Sequence, residues 1–149
     1  MDVIATDHAP HTLDEKQPPY EKAHSGLPLV QHSLLLMLKY HKEGRISLEK
    51  IVEKMSHAVA DCFKINNRGY IREGYFADVV VVDLNKNTEV TKGNILYKCG
   101  WSPLEGETFP AAITHTFVNG NCVYACPDKF GGNNVFNESI KGERLLFKH

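Results

Sequence analysis

The chain has 149 residues, of which 42% are hydrophobic, and a formal net charge of −1. That balance supports one ordinary core and excludes a disordered polypeptide. Its lysines are scattered, with no basic stripe or interleaved aromatics, which argues against nucleic acid as a partner.

In chain order, Val3-Ile4-Ala5 reads as a short buried strand. Asp7, His8 and His11 follow at its carboxyl end, and Pro10 stops regular structure there. A carboxylate flanked by two imidazoles can bind metal or move protons. From Asp7 to Pro28 the residues are rich in His, Pro and charge without periodicity, which predicts a long active-site loop stiffened by Pro18-Pro19.

Pro28 through Tyr40 carries Leu29, Leu34, Leu35 and Leu38 at helical spacing, with Gly44 placed just past the helix end. Leu34-Leu35-Leu36-Met37-Leu38 is the longest apolar run, far short of the roughly 20 residues that span a bilayer. With no signal-peptide pattern at the amino terminus, a soluble cytoplasmic protein is expected. Ser47 caps a predicted helix over Leu48 to Met55, and a second short helix is predicted from Ala58 to Phe63.

The period changes near residue 70. Ala77 to Asp83 is a β-branched run that predicts a well-buried strand, and Ile113 to Val118 and Asn121 to Tyr124 flank Asn119-Gly120, a strong hairpin signal. Gly69 and Gly74 make a poor phosphate loop, because they precede a strand and no Gly-Lys-Ser/Thr follows. Cys62, Cys99, Cys122 and Cys126 are irregularly spaced, which points to reduced thiols; a zinc site from Cys99, Cys122 and Cys126 is the sharper but less favoured alternative. The tail from Pro127, with Gly131-Gly132-Asn133-Asn134, is predicted to be mobile or to wrap across a neighbour.

The run Ala5-Thr6-Asp7-His8-Ala9-Pro10-His11-Thr12 closely resembles the segment after the eighth barrel strand of dihydroorotases, in the amidohydrolase superfamily. The segment Gly69 to Asp83 resembles that family's entry into its small β domain. Trp101-Ser102-Pro103-Leu104-Glu105-Gly106 resembles its Ser-Pro-aromatic-Glu-Gly segment, with Leu104 where an aromatic is frequent. The resemblance covers residues 1 to about 125. It implies an α/β fold: the terminal strand and helices of a (β/α)₈ TIM barrel in residues 1–69, followed by part of a small β-rich domain and a tail in residues 70–149. Barrel amidohydrolases open with a His-x-His pair, and none occurs here. The chain therefore resembles the carboxy-terminal third of a dihydroorotase, expected to be inactive alone.

The same resemblance implies a zinc-dependent cyclic amide hydrolase of pyrimidine biosynthesis, with two zincs per complete site and the remaining ligands absent from this chain. Asp7 would ligate one zinc and carry the proton from the attacking hydroxide to the ring nitrogen. His11 would bind the carboxylate of dihydroorotate or N-carbamoyl-L-aspartate, and Ser25 and Gly26 would lie against the pyrimidine ring. Many family members have Pro-Phe-Gly where this chain has His24-Ser25-Gly26.

Each residue also has a plainer reading. Asp7 could be a helix cap or turn carboxylate and His11 a loop histidine bonded to backbone. His8 is expected to orient the loop, His24 and His32 are weak metal-ligand candidates, and His41, His57, His115 and His149 are surface or packing residues. A non-catalytic scaffold, for instance for aspartate transcarbamoylase, and a different cyclic amidohydrolase are the competing functions. A homo-oligomer, or a missing amino-terminal portion, is expected to cover the Val3-Ile4 strand and the Leu34 to Leu38 helix.

Overall fold

Within the expected loop, Thr12 opens a one-turn helix, Leu13–Lys16 (α1). The computed structural model of the chain describes residues 2–126 and 134–147. The Thr12 hydroxyl accepts from the Glu15 amide at 3.3 Å, and the Thr12 amide donates to Glu15 Oε2 at 2.7 Å. This reciprocal cap satisfies two donors that a helix start leaves open.

A 3₁₀ turn, Val30–His32, leads into α2, Ser33–Lys42, which buries Leu35 and Leu38. Gly44, at φ +73°, ends it as expected, and its amide donates to the His41 carbonyl at 2.9 Å. Ser47 then caps the Lys50 amide of α3, Leu48–Val52. A wide turn over Glu53–His57 runs directly into α4, Ala58–Cys62, so the two helices expected here form one uninterrupted helical run. No helix of the described residues is long and apolar enough to cross a membrane.

Gly69 brings the returning chain onto this run. Its φ is +81°, and a Cβ there would lie 2.4 Å from Ala60 Cβ and 3.0 Å from the Ser56 carbonyl oxygen. Beside it, the buried Arg68 side chain pairs with Asp78, donates to Asn119 Oδ1 at 2.9 Å and lies 4.1 Å over the Phe76 ring. The Asn119 amide completes the ring of contacts by donating to Asp78 Oδ1 at 2.9 Å. Arg68 thus ties the end of the helical run to a hairpin turn some fifty residues on. Arg68→Ala is expected to cost about 2–3 kcal/mol, since it leaves Asp78 Oδ2 and Asn119 Oδ1 without the guanidinium donor. Arg68→Lys should recover only a small part, because a single ammonium nitrogen lacks the planar two-nitrogen fork that reaches Asp78 and Asn119 at once and stacks over Phe76. Urea unfolding midpoints of the two variants check both statements.

The strands are antiparallel throughout: β1 Val79–Asp83, β4 Ala112–Val118, β5 Asn121–Ala125 and β6 Val135–Phe136 form one sheet in the order β1-β4-β5-β6, and β2 Thr88–Glu89 pairs with β3 Thr108–Phe109. Asn119 and Gly120 both take positive φ, +50° and +79°, as a two-residue hairpin loop requires. The expected well-buried strand is corrected: β1 is an edge strand, and Val80 and Val81 are 45% and 42% exposed. Its register slips between Val81 and Val82, so neither face of the run is fully covered.

The buried core joins Leu35, Leu38 and Ile51 from the helices to Val90, Phe109 and Ala111 around the β2–β3 pair, so it draws on both sides of residue 70. Residues 127–133 and 148–149, part of the expected mobile tail, lie outside the described residues. Its described part folds back on the same chain. Phe136 pairs opposite Tyr124, and the Asn66 amide donates to the Leu146 carbonyl at 2.7 Å.

The strand expected at Val3-Ile4-Ala5 forms no ladder among the described residues. The Ile4 amide instead donates to the Lys54 carbonyl at 3.0 Å, and the nearest sheet-like contact is a parallel bridge between His8 and Leu27. The physical reason is that a buried parallel-type strand needs neighbouring strands on both sides, and none is present here.

Candidate active site

The segment that carries the candidate site is closed by His8 and Gly26. His8 Nδ1 accepts the amides of Leu29 at 3.1 Å and Val30 at 3.3 Å, so this imidazole holds the start of the 30–32 turn, the orienting role expected of it. Two donors on Nδ1 fix it as an unprotonated acceptor. Gly26 sits at φ +88°, with the place of its missing Cβ only 2.4 Å from Ala9 Cβ, and the Ala9 amide donates to the Leu27 carbonyl at 3.1 Å. Lys16 Nζ reaches across the loop to the carbonyls of His24 and Gly26, the latter at 3.0 Å. The loop from Asp7 to Pro28 is therefore pinned at its base and across its middle.

Asp7 stands at the turn out of residues 3–6 with φ +46°, a left-handed conformation that Asp tolerates better than most side chains. It is exposed, and its carboxylate has no hydrogen-bond partner among the described residues. A helix-cap role for Asp7 finds no support in that geometry. His11 is held from both sides: its amide donates to Ala9 O at 3.0 Å, and Trp101 Nε1 donates to its carbonyl at 2.8 Å. The His11 ring stacks on His24 with centroids 4.5 Å apart and planes 13° from parallel, and its Nδ1 lies 3.7 Å from Glu15 Oε2. The Thr12 amide, ahead of the Thr12 hydroxyl, holds the Glu15 carboxyl below its ordinary range. Ser25 is exposed, and the Gly26 carbonyl is occupied by Lys16. Two of these positioning residues escaped the sequence reading, Trp101 as the anchor of His11 and Glu15 as its neighbour.

His32 is a core residue. It is 3% exposed, stacks on Phe109 and lies 3.4 Å from the Tyr97 hydroxyl through Nδ1. Burial pushes its imidazole below the ordinary value of 6.5. The unfolded chain then binds this proton more readily than the folded one, so the stabilising contribution is complete above about 6.5 and is lost as pH falls below it. The urea midpoint is expected to drop between pH 7.5 and pH 5, with a smaller drop in His32→Phe; an equal drop in both would assign the effect to other groups.

A cavity of about 140 Å³ lies between residues 4–6 and α2, lined by Ile4, Thr6, Leu29, His32, Leu36 and Leu104. It is apolar, and neither Asp7 nor His11 lines it. Cys99, Cys122 and Cys126 do not gather into a ligand group among the described residues; the one group of three or more potential metal ligands there is His11, Glu15 and His24. Asp7 is not part of it. The residues of this chain therefore do not by themselves fit a two-metal centre at Asp7, which offers a single carboxylate.

Residues 1–123 match the model of the amidohydrolase family. The chain is 38% identical over 144 residues to the dihydroorotase of Pyrococcus horikoshii, covering 97% of this chain and 32% of that protein. It is 36% identical over 146 residues to the dihydroorotase of Pyrococcus furiosus, with 98% and 32% covered. Among solved structures it resembles the L-hydantoinase of Arthrobacter aurescens, with a TM-score of 0.74 and 30% identity over 83% of this chain and 28% of that one. A D-hydantoinase from Thermus sp. superposes with a TM-score of 0.77 at 22% identity, a likeness of fold alone, again over 83% of this chain and 28% of that one. The chain spans about a third of the length of the curated relatives it matches. Its fold is that expected from the sequence, α/β, with the closing part of an amidohydrolase barrel followed by part of a small β-rich region. With a family model over most of its length and relatives that match nearly all of it, the chain belongs to the amidohydrolase family.

Proposed function

We propose that this chain carries part of the active site of a dihydroorotase, a cytoplasmic zinc-dependent enzyme of pyrimidine biosynthesis that opens dihydroorotate to N-carbamoyl-L-aspartate and closes it again. The observation that carries the reading is the loop geometry: an exposed, unpartnered Asp7 carboxylate four residues before an imidazole, His11, whose backbone is held at both its amide and its carbonyl. Relatives of matching sequence bear the name dihydroorotase. Residues 1–69 supply the barrel side of the site and residues 70–149 the small β region, with Trp101 joining the two at His11.

Opening a cyclic amide needs a group to take a proton from the attacking water and deliver it to the departing nitrogen. In this reading Asp7 holds that proton, and its exposed, unpartnered carboxylate supports the role. A bound zinc pair would supply the activated water and polarise the carbonyl, with its other ligands coming from outside this chain. His11 recognises the substrate's exocyclic carboxylate, a single charge-assisted contact that the neutral hydantoin ring cannot make. Ser25 and the backbone at Gly26 border the ring. Alone, the chain is expected to be inactive, and it works as part of a longer protein or an assembly of copies.

The test uses a chimera in which this chain replaces the matching third of the Pyrococcus horikoshii relative. His11→Ala is expected to raise KM for dihydroorotate about tenfold or more, the worth of one charge-assisted hydrogen bond, while hydantoin hydrolysis changes little. Equal losses on both substrates would remove His11 from carboxylate recognition.

A further inference from the structure

We propose that His11, Glu15 and His24 together bind one divalent transition-metal ion of the zinc type. Each residue offers a ligand atom, and the three atoms lie within 4.8 Å of one another. Two imidazoles and a carboxylate are donors that zinc accepts, and bonds of about 2.0–2.1 Å to a tetrahedral ion set its ligands about 3.3 Å apart. His11 Nδ1 and Glu15 Oε2 are already 3.7 Å apart.

The backbone around the three side chains is held by contacts independent of any ion. The carbonyl of His11 is anchored by Trp101 and the Glu15 amide by the Thr12 hydroxyl, while Glu15 Oε2 already accepts from the Thr12 amide at 2.7 Å and must share that oxygen with an ion or offer its other one. The His24 carbonyl is held by Lys16, and the next turn closes on Ala9 through Gly26. A ligand set whose main chain is ordered before binding loses less entropy when the ion arrives. One adjustment is needed. The His11 and His24 rings are stacked nearly parallel, so their lone pairs point along parallel planes, and one ring must rotate for both to meet a single ion. His24 is exposed, so its ring turns without disturbing packing.

Three protein ligands leave a fourth tetrahedral position for water or for the carboxylate of a small molecule. All three residues belong to one segment of fourteen positions, His11 to His24, so the site needs no other chain. It shares His11 with the dihydroorotase reading, which gives that imidazole to the substrate carboxylate and the metal-binding carboxylate to Asp7, so the variants that separate the two are those at His24 and Asp7.

The experiment is a titration of the purified full chain with zinc ion followed by calorimetry, and with cobalt(II) followed by visible absorption, which reports tetrahedral coordination. One ion per chain is expected. His24→Ala should weaken binding at least about tenfold, since loss of even an outer partner of a metal ligand costs about 10- to 100-fold. His24→Cys should retain binding and shift the cobalt spectrum toward thiolate, and Asp7→Asn should leave binding unchanged. Far-ultraviolet dichroism of the His24 variants, altered only at an exposed side chain, checks that they fold. Absence of one-to-one binding would overturn the proposal, as would binding that survives His24→Ala intact or is lost in Asp7→Asn.

Discussion

Asp7→Asn is expected to reduce dihydroorotate turnover by the chimera about a thousandfold, within the range that a positioned acid–base group contributes. The substitution changes the chemistry of the site and spares its fold. Asn tolerates the left-handed φ of +46° at this position as well as Asp does, so the backbone of the loop has no reason to move. It also keeps the size and planarity of the side chain, and no hydrogen bond of the described residues depends on the Asp7 carboxylate. What the amide cannot do is accept and return a proton, and it is a poorer zinc ligand than the carboxylate. The unfolding midpoint should stay within about 0.5 kcal/mol of the parent, as for other exposed substitutions, while the rate collapses. A rate that stays within about tenfold of the parent would assign the proton transfer to another group.

The second large effect is on the loop itself. Gly26→Ala is expected to lower stability by about 2–3 kcal/mol and turnover of the chimera by about a hundredfold. Two separate costs combine. A φ of +88° strains any residue with a Cβ, and the new methyl would lie 2.4 Å from Ala9 Cβ, well inside contact. Relief requires the Ala9 backbone to shift, and Ala9 lies midway between Asp7 and His11. Such a shift stretches the bond from the Ala9 amide to Leu27 and the Lys16 bridge to Gly26, so both candidate side chains lose their aim. Ala9→Gly combined with Gly26→Ala removes the clash and keeps the strained φ. The double variant should therefore recover about half the stability and most of the turnover. Urea midpoints and steady-state rates measure both, and a single variant as stable as the parent would show that the loop yields without cost.

What could be read from the sequence was local. Gly44 after an apolar helix, Ser47 before the next and Asn119-Gly120 between two β-branched runs each act through their own backbone angles or a neighbour within a few residues, and each appears as expected. His8 was legible as a structural histidine only through the family resemblance, which gives the substrate contact to the later histidine, and its bonds to the Leu29 and Val30 amides fit that role. The Thr12-to-Glu15 cap had a visible signature, a threonine with glutamate three residues on, yet the proline- and histidine-rich surroundings carried no helical period to draw attention to it. The contacts that shape the site could not be read this way. Trp101 reaches the His11 carbonyl across ninety positions, and His24 meets His11 only because Lys16 and Gly26 fold the loop on itself. The Val79–Val82 run shows the limit of composition: the same β-branched residues suit a buried strand and an edge strand, and only the sheet order decides.

The most direct test of the central claim is substrate choice by the chimera, with dihydroorotate and hydantoin assayed side by side at equal concentration. The dihydroorotase reading predicts that dihydroorotate is turned over at least about tenfold faster, through the carboxylate contact at His11. A soluble, folded chimera that hydrolyses hydantoin and leaves dihydroorotate intact would contradict it, and would assign this chain to a different cyclic amide.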